Sequence, residues 1–426
     1  MSAPHRRSPW LWIPSLYLAE GLPYVLVMAV SVIMYKNFGV SNTDIALYTS
    51  WLYLPWVIKP FWSPVVDLLG TRRRWIWVMQ LLIGGGLAGV AFSAPLPGAF
   101  QWTLAFFWLM AFQSATHDIA ADGFYMLAAS EREQALFVGV RTMFYRIAMI
   151  AGQGLIVVLA GTLEARLGDV HRAWSVTMGL LAALFVMFGT WHLWVLPRPD
   201  SDRSGNVRRV PEFIREFVAT FGSFFRKPKL AALLGFLLLY RLGEAQLVKL
   251  AAPFLLDPPA EGGLGLTTAE VGWIYGTLGI VALTLGGVLG GWVASRHGLK
   301  AWLWPMMIAI QLPDAAYIFL AYVQPESLWI VQACVAVEQF GYGFGFTAYV
   351  LYMIYVARGR HQTAHYAICT GFMALGMMVP GMWSGWLQEH IGYPRFFVWV
   401  LLATIPSFLV AMRIPLEADF GKKASA

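Results

Sequence analysis

QSATHDIAADGFYMLAASEREQALFVGVRTMFYRIAMIAGQ, residues 113–153, predicts two long apolar helices that are joined by a short charged loop. Asp118 and Asp122 are four residues apart in the first helix, so their carboxyl groups share one of its faces. The second helix carries Arg141 and Arg146. With a rise of about 1.5 Å per residue, Asp122 and Arg141 lie at one depth from the loop, and Asp118 and Arg146 lie about one turn deeper. The spacing predicts two carboxylates that face two guanidinium groups across a helical hairpin.

Charged groups inside apolar helices have two interpretations. Charges within a bilayer are costly, and they usually face a partner, a cavity or an ion path. These groups form either a structural ladder of ion pairs or a site that handles protons and substrate, and we favour the site. We expect Asp118 or Asp122 to bind the proton. The expected substrate contacts on the second helix are Arg141, Tyr145 and Arg146, and the two guanidinium groups also influence the affinity for the proton.

The composition indicates an integral membrane protein. Of the 426 residues, 58% are hydrophobic and only 12% are charged, whereas about a quarter of a soluble domain is charged. The net charge of +7 does not indicate nucleic acid as a partner, because the basic residues cluster in short loops between apolar stretches. Cys334 and Cys369 lie in apolar stretches without ligand spacing, so we expect neither a disulfide framework nor a zinc site.

Twelve apolar stretches are long enough to cross a bilayer, which takes about 20 residues. The predicted spans are 11–35, 44–66, 75–94, 100–128, 136–161, 172–195, 230–256, 270–294, 301–322, 326–356, 362–386 and 394–415. A polar segment with spaced phenylalanines separates the sixth span from the seventh, which indicates a linker with an amphipathic helix on the membrane surface. We predict an all-α membrane protein of two pseudo-symmetric six-helix bundles, 1–195 and 230–426, with a cytoplasmic linker, 196–229.

The distribution of lysine and arginine predicts the orientation. If both termini are cytoplasmic, the inside segments hold 21 basic residues and the outside loops hold four. Because cytoplasmic loops are enriched in basic residues, we expect both termini inside the cell. The first apolar run contains Glu20 and has no small-residue cleavage site, so we interpret it as a retained helix and not as a signal peptide.

The two halves of the chain repeat short patterns. SNTD at 41–44 corresponds to TTAE at 267–270, and each predicts a capping box at the start of a helix. LYLAEG at 16–21 corresponds to LYRLGEA at 239–245, at a similar offset of about 225 residues. Matching patterns in register indicate that the second half repeats the first.

The loops after the second and eighth spans resemble the signature loop of the major facilitator superfamily, Gly-x-x-x-Asp-basic-x-Gly-basic-basic. The first loop keeps Asp67, Gly70 and the basic run 72–74, and the second keeps Arg296, although Ser295 replaces the Asp. The resemblance implies two six-helix bundles that give alternating access to a central cavity. We interpret Asp67, Gly70, Arg72, Arg73 and Arg296 as a conformational latch and not as a substrate site, because the acid can hydrogen-bond a helix end.

A narrower resemblance lies in the first half. The segment HDIAAD at 117–122, the pair ER at 131–132 and the pair YR at 145–146 resemble, in the same order, motifs of the AmpG-type muropeptide permeases and related acetyl-CoA transporters. His117 stands where that family usually has Gln, and Phe144 stands where it has Gly. The resemblance implies a transporter of a muropeptide or a comparable solute, and siderophore permeases form a neighbouring branch.

Two further charges lie in the first two predicted spans. Glu20 and Lys59 can pair with each other, or one of them can meet the Asp118 cluster. A structural salt bridge and a role in the cavity stay equally open. We take Glu20 as a candidate proton-binding group and Lys59 as a candidate substrate contact.

The second half contains its own buried charges. Arg241 and Glu244 in the seventh span are three residues apart and nearly share a face, and Lys249 follows in the same span. We expect these three residues to contact substrate, with the positive groups meeting an anion. Glu338 in the tenth span has no evident partner in the sequence and is a second candidate for proton binding.

The sequence contains no enzyme signature. It lacks a Gly-x-Ser-x-Gly elbow, a nucleotide-binding Gly-x-x-x-x-Gly-Lys motif and a metal constellation, so we expect no catalysis, cofactor or metal. We predict a monomeric, proton-coupled importer of a polar or anionic solute such as a muropeptide, embedded in the lipid of the bacterial cytoplasmic membrane. The alternatives are a siderophore, an acyl-CoA-like metabolite or a drug as cargo and, from another class, a non-transporting membrane receptor.

Overall fold

The computed structural model describes residues 7–200, 202, 210–359, 361–417 and 419–421. At some helical positions in these ranges, Asp67 among them, the description covers the backbone alone. Across the described ranges the secondary structure is helical and contains no strand. The predicted all-α class is confirmed.

The described residues of the first half form nine α-helices. They are α1 (Ile13–Val25), α2 (Ser31–Asn37), α3 (Asn42–Trp51), α4 (Leu54–Leu69), α5 (Arg72–Ser93), α6 (Ala99–Ala128), α7 (Glu131–Ile150), α8 (Val157–Leu167) and α9 (Val170–Val195). The π-helical turn Leu26–Val30 joins α1 to α2, and the π-helical turn Ala151–Ile156 joins α7 to α8. Each of these pairs is therefore one continuous helical span.

Ten α-helices are formed by the described residues of the second half. They are α10 (Val210–Phe224), α11 (Leu230–Leu239), α12 (Leu242–Leu256), α13 (Thr268–Ile274), α14 (Ile280–His297), α15 (Leu299–Gln311), α16 (Ala315–Val323), α17 (Leu328–Ala357), α18 (Gln362–Leu402) and α19 (Ile405–Ala411). The π-helical turn Tyr275–Gly279 joins α13 to α14, and the 3-10 turn Leu312–Asp314 separates α15 from α16. Gly392, with φ of 77°, interrupts α18, which is a backbone conformation that favours glycine.

Packing divides the described residues into two compact units. Unit 1 contains those of 1–38 and 58–210, and unit 2 contains those of 39–57 and 211–426. The helix α3 belongs to unit 2, where Asn42 donates hydrogen bonds of 2.8 Å to Gln388 Oε1 and to the Tyr393 hydroxyl. The bundle boundaries inferred from the sequence, 1–195 and 230–426 around a linker, stay a prediction.

Nine helical stretches of the described residues are long and apolar enough to cross a membrane. The longest, Ala364–Ala411, contains the break at Gly392 and covers most of the last two predicted spans. The predicted spans outside this set are 44–66, which the structure divides into the shorter helices α3 and α4, and 100–128, whose polar and charged residues lower its hydropathy. The set is consistent with the predicted twelve spans.

The hairpin predicted from residues 113–153 is formed by α6 and α7. Its turn is closed by a capping box in which the Glu133 N–H donates to Ser130 Oγ and the Ser130 N–H donates to Glu133 Oε2. The predicted capping box at Thr267 is also present, and Ser41 caps α3. These local contacts start the helices at the residues that the sequence indicates.

Glycines allow close packing of α14 against α17, and this gives a prediction about stability. A Cβ atom on Gly286 would lie 2.1 Å from the Phe340 carbonyl oxygen, whereas a Cβ atom on Gly291 would meet nothing within 4 Å. We expect Gly286→Ala to lower the free energy of unfolding by about 1 to 3 kcal/mol, because the two backbones must move apart. Gly291→Ala is the matched control and should be neutral or stabilising. Equal melting temperatures of the two purified variants would contradict this account.

Candidate functional site

Five charged residues on the helices of unit 1 gather in one cluster. Lys59 on α4 forms an ion pair with Asp118 on α6, and Arg141 Nη2 on α7 lies 2.8 Å from Asp122 Oδ1. Glu20 on α1 completes the group, which we call the carboxylate cluster. Oxygen atoms of its three acids all lie within 4.8 Å of one another. The hairpin pair of Asp122 and Arg141 is therefore present, and α1 and α4 contribute the other two charges.

The expected pairing of Asp118 with Arg146 is wrong. Lys59 pairs with Asp118, and the Arg146 side chain is exposed. Arg141 and Arg146 are five residues apart, which is a rotation of about 140° around the helix, so the two cannot both face α6. The acids four residues apart differ by only about 40° and do share a face. Lys59 occupies the position beside Asp118 that the depths counted from the loop predicted for Arg146.

The carboxylate cluster has more acids than bases. Glu20, Asp118 and Asp122 carry three negative charges when ionised, and Lys59 and Arg141 carry two positive charges. Glu20 is only 6% exposed, and its Oε2 atom has no hydrogen-bond partner. The donor set could hold a cation, but two basic side chains already bind two of its acids. One unit of negative charge is left uncompensated.

Aromatic residues surround the Arg141 guanidinium. Its Cζ atom lies 4.6 Å from the ring centroid of Tyr17 and 5.2 Å from that of Tyr125. The Tyr17 hydroxyl donates a 3.3 Å hydrogen bond to Asp122 Oδ1. Tyr145, half-buried on α7, lies within electrostatic range of the cluster. Tyr17 was not predicted from the sequence. It lies three residues before Glu20, and this spacing places both side chains on nearly one helix face.

A buried polar chain lies next to the cluster in unit 1. Gln80 Nε2 is 2.9 Å from His117 Nε2, Gln80 Oε1 is 2.8 Å from His192 Nδ1, and His192 Nε2 is 2.9 Å from Ser15 Oγ. His117 immediately precedes Asp118 in α6. The chain connects four helices and satisfies most of its buried polar atoms, which is how such groups are stabilised in an apolar interior.

In unit 2, Arg241 and Glu244 pair with each other. Arg241 Nε donates to Glu244 Oε2 at 2.8 Å, and its Nη2 donates to Glu244 Oε1 at 2.5 Å. The guanidinium also donates a 3.1 Å hydrogen bond to the Tyr342 hydroxyl and lies 5.0 Å from the ring centroid of Phe346. The spacing of three residues therefore produces a buried, bidentate ion pair, whose charges compensate each other.

Lys249, two turns further along α12, has different surroundings. It is 1% exposed, its Nζ donates a 3.0 Å hydrogen bond to Thr49 Oγ1, and it lies 5.2 Å from the ring centroid of Tyr53. Within the described part of the chain no carboxylate oxygen lies within 4.0 Å of this ammonium group. The buried hydroxyl of Ser50 lacks a hydrogen-bond partner, and it lines the same side of Gly381 as the Lys249 side chain. The described part of unit 2 thus holds a buried cation without a counter-charge.

Glu338 on α17 is buried, at 5% exposed. Its Oε2 atom accepts a 2.9 Å hydrogen bond from the side chain of the adjacent Gln339. A second buried acid, Asp314, lies in the interrupted span of α15 and α16 and was missed in the sequence analysis. Glu338 was selected from the sequence because it is an acid in an apolar span, and Asp314 meets the same criterion.

The amino-acid sequence matches a known protein family. A family model of the Major Facilitator Superfamily matches residues 16–255, which is more than half of the chain. The chain belongs to the Major Facilitator Superfamily. It is therefore a multi-pass membrane protein and a secondary transporter, and the expectation that it is not an enzyme agrees with its relatives.

Two curated relatives of this superfamily member align with it along most of its length. It is 26% identical over 402 residues to the anhydromuropeptide permease of Escherichia coli, an alignment that covers 92% of this chain and 77% of that protein. It is 25% identical over 414 residues to a Rickettsia conorii protein that bears the name AmpG 4, with 94% and 95% covered. The resemblance to AmpG-type permeases is confirmed.

Solved structures support the major facilitator fold. A bacterial homologue of the human lysosomal transporter Spinster superposes with a TM-score of 0.69 at 15% identity, covering 94% of this chain and 95% of that one. A D-xylose–proton symporter gives a TM-score of 0.65 at 14% identity, covering 96% and 98%. At these identities the likeness concerns the fold alone.

The signature loop of this superfamily member binds helix ends in unit 1. Arg72 Nη1 donates a 3.0 Å hydrogen bond to the Gly123 carbonyl, and Arg73 Nε donates one of 3.2 Å to the carbonyl of Leu196, just after α9. The Asp202 carboxylate accepts from the backbone N–H groups of Arg72 and Arg73 at 2.8 and 3.0 Å. Asp202 was not expected from the sequence, and it stabilises the positive N-terminus of α5.

The other predicted latch residues have fewer contacts. The Asp67 side chain lies outside the described part of the chain. Gly70 packs beside Trp75, since a Cβ atom there would lie 3.3 Å from the indole Nε1. In the second loop Arg296 is exposed, and its guanidinium lies 4.5 Å from the ring centroid of Trp292. The latch role of these residues stays a prediction.

Proposed function

We propose that this transporter imports a polar or anionic solute, such as a muropeptide, by proton symport across the bacterial cytoplasmic membrane. It works by alternating access as a monomer, surrounded by lipid and with both termini in the cytoplasm. The observation that carries this proposal is the carboxylate cluster of unit 1, in which three acids meet two bases.

The cluster suits a proton carrier because one proton neutralises it. With all five groups ionised, one negative charge remains, and binding a proton removes it. Asp118 is the favoured acceptor, because a proton on its carboxylate releases the Lys59 ammonium. Glu20 Oε2, which has no hydrogen-bond partner, can then receive that ammonium as its acceptor. Protonation of one acid thereby rearranges contacts between α1, α4 and α6, which is the kind of coupling that a transport cycle needs.

Lys249 supports an anionic solute. A buried ammonium without a carboxylate partner is costly unless a ligand supplies the negative charge. Thr49 and Ser50 add hydroxyl groups beside it, and the Tyr53 ring adds a face for stacking. Arg241 and Glu244 satisfy each other, so we assign them a supporting role beside the site. In unit 1, the candidates for contact with the solute remain Lys59, Arg141, Tyr145 and Arg146.

A muropeptide is the favoured cargo because a relative along most of the chain is named an anhydromuropeptide permease. The test is uptake into right-side-out membrane vesicles that contain the transporter, with radiolabelled muropeptide, siderophore or acyl-CoA ester. We expect muropeptide uptake that requires an inward proton gradient and stops when a protonophore collapses it. Vesicles without the transporter are the control. Uptake that ignores the gradient would overturn the coupling, and uptake of another solute alone would overturn the cargo.

A further inference from the structure

Asp314 lies where a membrane-spanning helix of unit 2 is interrupted. The helix α15 ends at Gln311, the 3-10 turn Leu312–Asp314 follows, and α16 begins at Ala315. Pro313 lacks a backbone N–H group, so the regular pattern of helical hydrogen bonds stops in this turn. Irregular backbone at membrane depth is tolerated where it is buried in protein or lines a cavity.

A second interruption lies beside the first. The helices α11 and α12 are separated at Tyr240 and Arg241, and the side chain of Gln311 donates a 2.8 Å hydrogen bond to the Tyr240 carbonyl oxygen. The same amide group donates a 3.2 Å hydrogen bond to Ser407 Oγ. In secondary transporters, interrupted helices of this kind form sites for substrates and coupling ions. The two interruptions are thus joined directly within unit 2.

The helix α17 brings Glu338 towards the same place. A Cβ atom on Gly341 would lie 2.0 Å from the Ala309 carbonyl oxygen and 2.8 Å from Pro313 Cγ, so α17 packs its backbone against the interrupted span there. Glu338 precedes Gly341 by three residues and therefore lies on nearly the same face. Electrostatic interaction of Asp314 with Glu338 and with Glu244 is consistent with this placement.

The Asp314 carboxyl is buried without compensation. Its side chain is 2% exposed, and its Oδ2 atom has no hydrogen-bond partner among the residues that the structure describes. In the described part of unit 2 no basic nitrogen lies within 4.0 Å of Asp314 or Glu338. The positive charge at the neighbouring interruption is Arg241, which both oxygens of Glu244 already engage. The remaining ionisable neighbours are the hydroxyls of Tyr275 and Tyr317, which lie 3.2 Å from each other.

We propose that Asp314, together with Glu338, forms a second proton-binding site of this transporter, located in unit 2. An ionised carboxylate that lacks both a cation and a donor is very costly in an apolar interior, and a bound proton removes that charge. Nearby acids disfavour a second negative charge in the same way as in paired carboxylates. The role of this site in coupling rests on the proposed proton symport, whereas the presence of the proton does not.

Infrared spectroscopy tests the proton directly. Protein labelled with 13C at the aspartate carboxyl groups is reconstituted in lipid at neutral pH, and the band of protonated aspartic acid is recorded in light and heavy water. We expect a component of the protonated-aspartate band in the wild type that is lost in Asp314→Asn and kept in Asp118→Asn. Asp257→Asn is the matched control, because Asp257 is also buried in unit 2 but accepts a 2.6 Å hydrogen bond from the Tyr393 hydroxyl. An unchanged band in Asp314→Asn would overturn the proposal.

A second variant covers the case in which Asp314→Asn does not fold. Glu338→Gln removes the neighbouring acid and should move the pH at which the labelled aspartate band titrates, since the like charge is gone. A titration identical to that of the wild type would overturn the pairing. The band is recorded without transport. Its absence would therefore disprove the proton-binding site at Asp314, and it would leave the dependence of uptake on the pH gradient intact. Loss of gradient-dependent uptake with the band retained would instead disprove the symport.

Discussion

Replacing Asp118 with Asn should abolish gradient-driven uptake of the cargo. The asparagine keeps the size of the side chain but can neither gain nor lose a proton, so the charge of the carboxylate cluster no longer changes during the cycle. We expect accumulation driven by an imposed pH gradient to fall by about 100-fold, which corresponds to about 2.7 kcal/mol. Initial rates in proteoliposomes with an acidic outside measure this loss. The ion pair between Lys59 and Asp118 places the substituted group at the centre of the coupling.

Exchange of labelled for unlabelled cargo separates coupling from binding. Exchange requires the transporter to bind and carry cargo, but it requires no net proton movement. We therefore expect Asp118→Asn to keep exchange while it loses accumulation. Asp169→Asn is the matched control, because Asp169 caps the start of α9 and its ion pair with Arg172 is exposed. An Asp118→Asn transporter that still accumulates cargo along the gradient would exclude Asp118 as the proton carrier.

Replacing Lys249 with Met should weaken cargo binding and at the same time stabilise the protein. Methionine has a similar volume and can fill the same buried space, but it offers no charge to an anion. Removing one partner of a buried charge pair typically costs 2 to 5 kcal/mol of binding, so we expect Kd to rise by about 100-fold or more. Without cargo, the substitution removes an uncompensated buried charge, and such replacements are often stabilising by about 1 to 4 kcal/mol.

Two measurements on one preparation check this prediction. Calorimetric titration with the cargo gives Kd, and thermal unfolding without cargo gives Tm. We expect a higher Kd and a higher Tm for Lys249→Met, which is the trade between stability and function that binding sites often show. Lys300→Met, at the exposed start of α15, should change neither quantity. A lower Tm with unchanged Kd would mean that Lys249 is structural.

Much of the fold follows from patterns that are local in the chain. Apolar stretches of membrane length, capping boxes such as that at Thr267 and the basic loops are each complete within a few neighbouring residues. The sequence also placed Arg241 and Glu244 on nearly one helix face, because they are three residues apart, although it assigned both to substrate contact and not to each other. Features of this kind were predicted from the sequence because the helix itself determines their geometry.

Contacts between helices follow a different rule. The depth of a residue can be counted from a loop, but the direction of its side chain depends on how that helix is rotated against its neighbours. Arg146 has the right depth to meet Asp118, yet its side chain is exposed, and Lys59 from a distant part of the chain takes that position. The sequence left Lys59 with two possible partners, and the packing of α4 against α6 decided between them.

The amino-acid sequence by itself determined that this is a helical membrane protein with ionisable groups inside its spans. Hydropathy, periodicity and charge distribution act along the chain, so they need no knowledge of which helices are neighbours. Only the tertiary structure decided which charges are compensated: Arg241 is paired, while Lys249 and Asp314 have no counter-charge among the described residues. The physical reason is that the cost of a buried charge depends on atoms within a few ångströms, and those atoms come from helices far apart in the sequence.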